Sequence, residues 1–531
     1  MGKKCKTCGD GGRTRKCGCS KKGGCQGILI CREDIGTEGF VIDRPGKYIL
    51  ERSVVFNPPD DGSTCRAAIT IEADNVCLDL CCNTLSQFRD DAGVGVANVI
   101  GIRVANGGAD GESPHKNIHI HNGSVVDFSA LGIWVEYAVK GILLEDLQLR
   151  TSGYLGGSCY PVLDGFNVGA VAWAAGGLAF GGLRAGVLSS NSPALPVEDI
   201  TIRNVESTGH HSSEAPFAKI SSLTGLSAGP FPKTIAGIGG STTDGYEVDS
   251  VQISDIREDA PVFFDRGTGT DAGGGTARGF TLADGVNTVL RSVTAQKIAC
   301  TLGLTAINVT PGSNTSLYNC VAQDVELLAD VLVPSRGVVG IGTGGPVPNA
   351  LGQFPPDTIF SNNIFLSNCS SQNIRVSPGV TGRQAVTDGL LPPTLLFSGG
   401  GFATAYNFRG ATNVVAENCS GLGVIGNGNM VTSGFHTTSD VIIRNCNAAR
   451  IRMVEGQGFQ PPDLANVSFR VNGVGILVAP PPSNSPAAGQ GDFAVNVNLN
   501  VAGTGKSVLR DNVVQNSTIG YRVIDTNLPA F

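Results

Sequence analysis

One short pattern returns along most of the chain and limits what it can fold into. It reads Asn or Asp, an aliphatic, any residue, a second aliphatic, any residue, Asn or Asp, then a small apolar residue. Copies run as NVCLDLCCN from Asn75, NIHIHNG from Asn117, DITIRNV from Asp199 and SVQISDI from Ser250. Later copies end at Val293, Cys320, Cys369, Cys419 and Cys446, and looser ones start at Phe493 and Val508. Asn122 to Asp146 is 24 residues, while Ser292 to Asn319 and Asn418 to Asn445 are each 27. Asn319 to Asn368 is 49 and Asn368 to Asn418 is 50, which we read as two rungs each. A period of this size marks a solenoid. The alternating polarity excludes helical repeats and leaves stacked short strands.

The fold expected is all-β: a right-handed parallel β-helix with long surface loops. Each coil offers its strands to the next at about 4.8 Å, with alternate aliphatics stacked in an apolar bore. About twelve to fifteen coils give a rod of roughly 60–70 Å at that spacing. The recurrent Asn residues, Asn319, Asn368, Asn418 and Asn445 among them, should sit at turns and form a hydrogen-bonded ladder. The next residue (Val205, Ile256, Val293, Cys320, Cys369, Cys419, Cys446) should face inward. Exchange of Cys with Val and Ile there makes those cysteines packing residues.

Composition agrees. Charged residues are 16%, against roughly 25% in ordinary soluble domains. Gly is 74 of 531 residues, which suits many turns. A net charge of −7 gives no basic footprint for nucleic acid. The most apolar stretch, Phe166 to Leu188, is broken by six glycines and an arginine, so no membrane span is expected. The N-terminus lacks the apolar core of a secretory signal. That predicts synthesis in the cytoplasm and a destination such as a virion or particle surface.

Three zones divide the chain. Residues 1–31 are a Cys/Gly/Lys-rich head with Cys5, Cys8, Cys17, Cys19, Cys25 and Cys31. Residues 32–65 are a lead-in or cap, and 66–531 the β-helix. Thr151 to Pro196, His210 to Asp244, Leu332 to Asp357, Pro378 to Phe402 and Gln457 to Pro462 lie off the repeat and are expected as loops. Three readings of the head stand: disulfide cross-links, a disordered tail of free thiols, or Zn²⁺ held by the short-spaced thiolate pairs. Cys65, Cys77, Cys81 and Cys82 cluster near the first coils, where a disulfide would cap the open end of the bore.

The segment from Gly46 to Phe88, with GKYILERSVVF, AITIEADNVCLDL and NTL, resembles the opening of pectate-lyase-like right-handed β-helix repeat proteins. With its Cys-rich head the chain also resembles β-helix proteins encoded by giant viruses of amoebae. The resemblance implies the fold and leaves function open, because this fold hosts lyases, hydrolases, adhesins, tailspikes and inert fibres. The NTD, GHG and RIK motifs of pectin hydrolases are absent, and the one Arg-Pro, Arg44–Pro45, lies in the lead-in.

The densest charged window, Asp244 to Asp271, holds Asp255, Arg257, Glu258, Asp259, Asp265 and Arg266. Paired carboxylates or a Ca²⁺ site there are one reading, and a solvated face with turn aspartates is the other. His119 and His121 alternate on one strand and share a face, which suits a metal pair or plain exposed residues. His210 and His211 open a loop and are candidates for sugar contact. The sequence leans toward a structural surface protein whose partner is itself, as fibre or oligomer. The alternative is a polysaccharide lyase or hydrolase, or a glycan-binding module.

Overall fold

A computed structural model describes residues 27–60, 66–90, 96, 99–105, 115–136, 139–151, 173–180, 197–212, 233–259, 262–265, 270–273, 275–301, 303–309, 312–328, 337–343, 361–376, 402–408, 411–427, 431–437, 441–454, 474–478, 508–515 and 519–523. Of the 35 strands there, 33 form one continuous sheet wound into a parallel β-helix. The other two, Val262–Asp265 and Thr270–Gly273, make an antiparallel hairpin. The helix among the described residues is the single turn Arg32–Ile35, and none there is long and apolar enough to cross a membrane.

The winding follows from three corners per coil, five residues apart. Asn314, Asn319 and Asp324 have φ of 53° each, and Asn363, Asn368 and Asn373 repeat this at 56°, 54° and 54°. Asn413, Asn418 and Gly423 do so again. Left-handed backbone costs most L-residues roughly 1–2 kcal/mol, and Asn and Asp tolerate it best. The four-residue runs between corners are strands of alternating polarity. The first face runs from Ile28–Ile30 through Gly46–Leu50 and Val76–Asp79 to Val508–Arg510 by twelve successive in-register pairings. At about 4.8 Å per step those twelve steps rise about 58 Å.

Leu78, Ile120, Leu144, Ile202, Val248, Leu290, Leu317 and Leu366 stack in that register, and all are fully buried. Burial of each such side chain contributes about 1.5–3 kcal/mol. One corner later, Val251, Val293, Cys320, Cys369, Cys419 and Cys446 also lie in the bore. Those four cysteines are free thiols. Neighbouring thiols and burial push Cys419 up to about 12, and raise Cys369 and Cys446 further.

The structure corrects several sequence expectations. The 49- and 50-residue intervals are one coil each, because Leu317 pairs directly with Leu366, and Leu366 with Ala416. Their extra length falls in residues 329–336, 344–360 and 377–401, which lie outside the described residues. SVQISDI is displaced by one corner: Val251, not Ile256, pairs with Val293. Runs on both sides of a corner read alike, so the phase was ambiguous. At the expected corner Asn204 Nδ2 donates to Asp146 Oδ1, and a longer amide ladder runs through the corner five residues before it. There Asn287 donates to Asp244 (2.8 Å), Asn314 to Asn287 (3.2 Å), Asn363 to Asn314 (3.0 Å) and Asn413 to Asn363 (3.1 Å). At Asn319, Asn368 and Asn418 the backbone N–H bonds the next coil, at Ser367, Glu417 and Arg444 carbonyls.

Finally, three segments expected as loops contain strands. Trp173–Phe180, Lys233–Glu258 and Val338–Gly342 supply levels of another face, which also holds Val99–Val104, Leu131–Val135, Gly303–Val309, Phe402–Phe408 and Val431–Thr437. This face does not alternate: Val338–Gly342 and Leu131–Val135 are buried at every position. At one level position the flanking register aligns Gly101, Gly132, Gly177, Gly237, Gly279, Ala306, Gly340, Ala405 and Gly434. The reason is close approach. A Cβ on Gly279 would stand 2.5 Å from the Ala306 carbonyl oxygen and 2.8 Å from the Ala295 methyl across the bore.

Winding begins before residue 66. Phe40–Ile42, Gly46–Leu50 and Val54–Phe56, within the expected lead-in, pair in parallel with Arg66–Ile71, Val76–Asp79 and Thr84–Gln87. Cys31 belongs to the folded body: it is buried at the N-cap of the short helix, and its N–H donates to Asp34 Oδ2 at 2.8 Å. Cys5, Cys8, Cys17, Cys19, Cys25 and Cys65 lie outside the described residues.

Candidate functional site

The outward side of the first face brings together a thiol and two imidazoles. In the strand Val76–Asp79, Val76 and Leu78 fill the bore, so Cys77 and Asp79 project outward. In His115–Val126, Ile118 and Ile120 do the same and turn His119 and His121 outward. Register sets Cys77 against His119 and Asp79 against His121. Cys77 Sγ lies 3.8 Å from His119 Nδ1 and 3.5 Å from His121 Nε2. The two imidazoles stack with centroids 4.2 Å apart. The three donor atoms all lie within 4.8 Å of one another.

The next coil adds an orienting group. Glu145 Oε1 stands 2.8 Å from His119 Nε2, which fixes the ring and leaves Nδ1 facing Cys77. Asp79 is buried beneath the cluster; its Oδ1 accepts from the Cys81 N–H (2.8 Å) and Asn122 Nδ2 (3.1 Å), and its Oδ2 lies 3.5 Å from Lys47 Nζ. Burial raises the Cys77 thiol above its usual range, against the pull of Lys47. Burial, then the charge of His119, lowers His121 below the usual histidine range, against the pull of Asp79 and Glu145. Cys77 is a free thiol, and no disulfide joins Cys77, Cys81 and Cys82 to one another. Cys82 Sγ instead lies 3.0 Å from Asn122 Oδ1.

The shared face of His119 and His121 was legible in the sequence; the approach of Cys77 was not. The signal was present. Aligning V-C-L-D of the first copy on I-H-I-H of the second sets Cys77 over His119 across 42 residues.

The acidic window disperses. Asp255 is an exposed corner residue with φ 57°, and its Oδ1 is 3.1 Å from His211 Nε2. Arg257 Nε donates to Asp259 Oδ2 at 2.9 Å. Glu258 points the other way and is buried. Asp265 ends the first strand of the antiparallel hairpin, and Arg266 lies outside the described residues.

His210 is buried, which corrects its assignment to sugar contact. It closes a polar chain: Ser207 Oγ donates to the Gly237 carbonyl (2.8 Å), so it accepts from His210 Nε2 (2.9 Å), and Nδ1 accepts from Thr151 Oγ1 (2.9 Å). Burial pushes the His210 pKa down to about 3. Trp134 packs among Ala67, Ile100, Ala130 and Leu131, with the Arg103 guanidinium 5.8 Å from its ring centre.

No known family profile matches the chain, and neither does any curated protein. Among solved structures, it is similar to the Dettilon tailspike protein at 9% identity and a TM-score of 0.38, over 91% of this chain and 61% of that one. It thus spans about three fifths of that tailspike's length. The A-module of a mannuronan C-5 epimerase from Azotobacter vinelandii is 10% identical, with a TM-score of 0.30, over 91% of this chain and 90% of that one. A surface adhesin of Streptococcus pneumoniae is 7% identical, with a TM-score of 0.28, over 92% and 86%. These are likenesses of fold alone.

Proposed function

We propose that the chain is a structural surface protein: a β-helical rod that assembles with its own copies into oligomers or fibres on a particle such as a virion. The observation that supports this reading is the N-terminal end of the rod. Ile28–Ile30, Phe40–Ile42 and Val54–Phe56 each pair with a strand on one side only, among the described residues. Ile28, Leu29, Val41 and Val55 there are about half exposed. An open parallel edge with apolar side chains is a template for another chain, and proteins that persist cover it. A second copy would do so, and cysteines of the head that precedes this edge in sequence would lock the contact.

The test is the size of the full-length chain, with and without reductant, beside a chain starting at Gly27, both viewed by electron microscopy. Oligomers or filaments that weaken with reductant or head removal are expected. A monomeric rod in every condition would overturn the proposal.

A second reading is a glycan-binding or polysaccharide-cleaving surface. It rests on two neighbouring pairs, His211 with Asp255 and Arg257 with Asp259, in which Asp255 and Arg257 are exposed and the other two partly so. Depolymerisation of a polysaccharide with or without Ca²⁺, or a glycan-array signal lost in Asp255→Asn, would favour it.

A further inference from the structure

We propose that Cys77, His119 and His121 form a transition-metal site that binds a zinc-class divalent ion and ties the first coils of the rod together. The geometry fits. With metal bonds of about 2.3 Å to sulfur and about 2.0–2.1 Å to nitrogen, a tetrahedral ion sets sulfur and nitrogen about 3.6 Å apart. The two sulfur–nitrogen distances are 3.8 and 3.5 Å.

The donor set decides the metal class. A thiolate with two imidazoles suits borderline-soft ions, whereas Ca²⁺ asks for six to eight oxygens. The surroundings match as well. Glu145 on the following coil bonds His119 Nε2 at 2.8 Å, the carboxylate–histidine arrangement that orients a metal-bound imidazole. Asp79 is committed to Lys47, Asn122 and the Cys81 N–H, so the fourth position falls to water. Binding exchanges the thiol proton for the metal bond and releases that proton to solvent. Because Cys77 and the histidines lie on adjacent coils, and Glu145 on the next, the ion adds a tie between levels already joined by the backbone ladder, the apolar bore and the Asn122–Asp79 bond. This goes beyond the surface-assembly reading and does not depend on it.

The test uses the full-length chain with Cys5, Cys8, Cys17, Cys19 and Cys25 changed to serine, so that the head takes up no metal. After chelation it is titrated with Zn²⁺, and separately with Co²⁺ followed by absorption. One equivalent per chain and a thiolate-to-cobalt charge-transfer band are expected. Cys77→Ser should abolish the band, His121→Ala should abolish stoichiometric binding, and Glu145→Gln should weaken it roughly 10- to 100-fold. No bound ion, or binding indifferent to Cys77→Ser and His121→Ala, would overturn the site. Should those variants not fold, X-ray absorption on the zinc-loaded parent decides. One sulfur and two imidazole nitrogens are expected, and a shell without sulfur would overturn the proposal.

Discussion

A single asparagine at a corner sets the path of the chain because its backbone is left-handed. Asn368 has φ 54°, and its N–H bonds the Glu417 carbonyl of the next coil. Asn368→Ala should lower stability by about 1–2 kcal/mol, while Asn368→Gly keeps most of it. Thermal midpoints of the two variants would check this. The Asn residues were visible in the sequence, but their five-residue rhythm was hidden because Asp, Ser, Gly, Lys297 and Arg450 also occupy corners.

His210 carries a pH prediction. Its folded pKa, about 3, lies below the ordinary 6.5, so the unfolded chain binds the extra proton first. Its contribution to stability is therefore flat above pH 6.5 and falls between 6.5 and 3, by up to about 1.4 kcal/mol per pH unit. His210→Gln should show a flatter dependence of thermal midpoint on pH across that window than the parent. Equal slopes would mean the buried histidine is not what titrates.

At the scale of the element, polarity made some strands legible and others silent. The strands between corners alternate because one side meets the bore and the other meets water. Charged outward groups there pair from coil to coil, as Lys140 with Glu198 (2.8 Å), Arg375 with Glu326 (2.7 Å) and Arg444 with Glu417 (3.0 Å). Exposed pairs contribute only about 0–1 kcal/mol each, so they tune register more than they hold the rod. The glycine-rich face has no alternation and its strands resemble loops. Its sharpest marker, the Gly/Ala column, emerges once the coils are aligned. Gly279→Val should cost about 1–3 kcal/mol through overpacking against Ala295 and the Ala306 carbonyl. In amide exchange, protection should fall in Lys233–Glu258 and Gly303–Val309, the paired neighbours, and hold in Val76–Asp79.

For the whole molecule, stability is a sum of levels and their interfaces, so the ends matter more than in a globular domain. The N-terminal end is organised by Ile28–Ile30 on Gly46–Leu50 and by the buried Cys31 and Ile35 of the helical turn. Compared under reductant and at a dilution where both are monomeric, a chain starting at Gly27 should keep the thermal midpoint of the full-length protein. One starting at Arg32 should melt lower, because it loses the first strand and the N-cap. Equal midpoints for the two would show that the cap contributes nothing.

The sequence by itself determined the repeat, the inward aliphatic column, the packing role of Cys320, Cys369, Cys419 and Cys446, and the shared face of His119 and His121. Each is a local consequence of strand alternation and of which residues accept a left-handed corner. Only the tertiary structure decided which copies stack on which. Paired coils are separated by sequence intervals of variable length, so distance along the chain does not report distance along the rod. That stacking turned 49- and 50-residue intervals into single steps, gave the Gly/Ala face its neighbours across the bore, and carried Cys77 to the histidines two score residues away in sequence and one strand away in space.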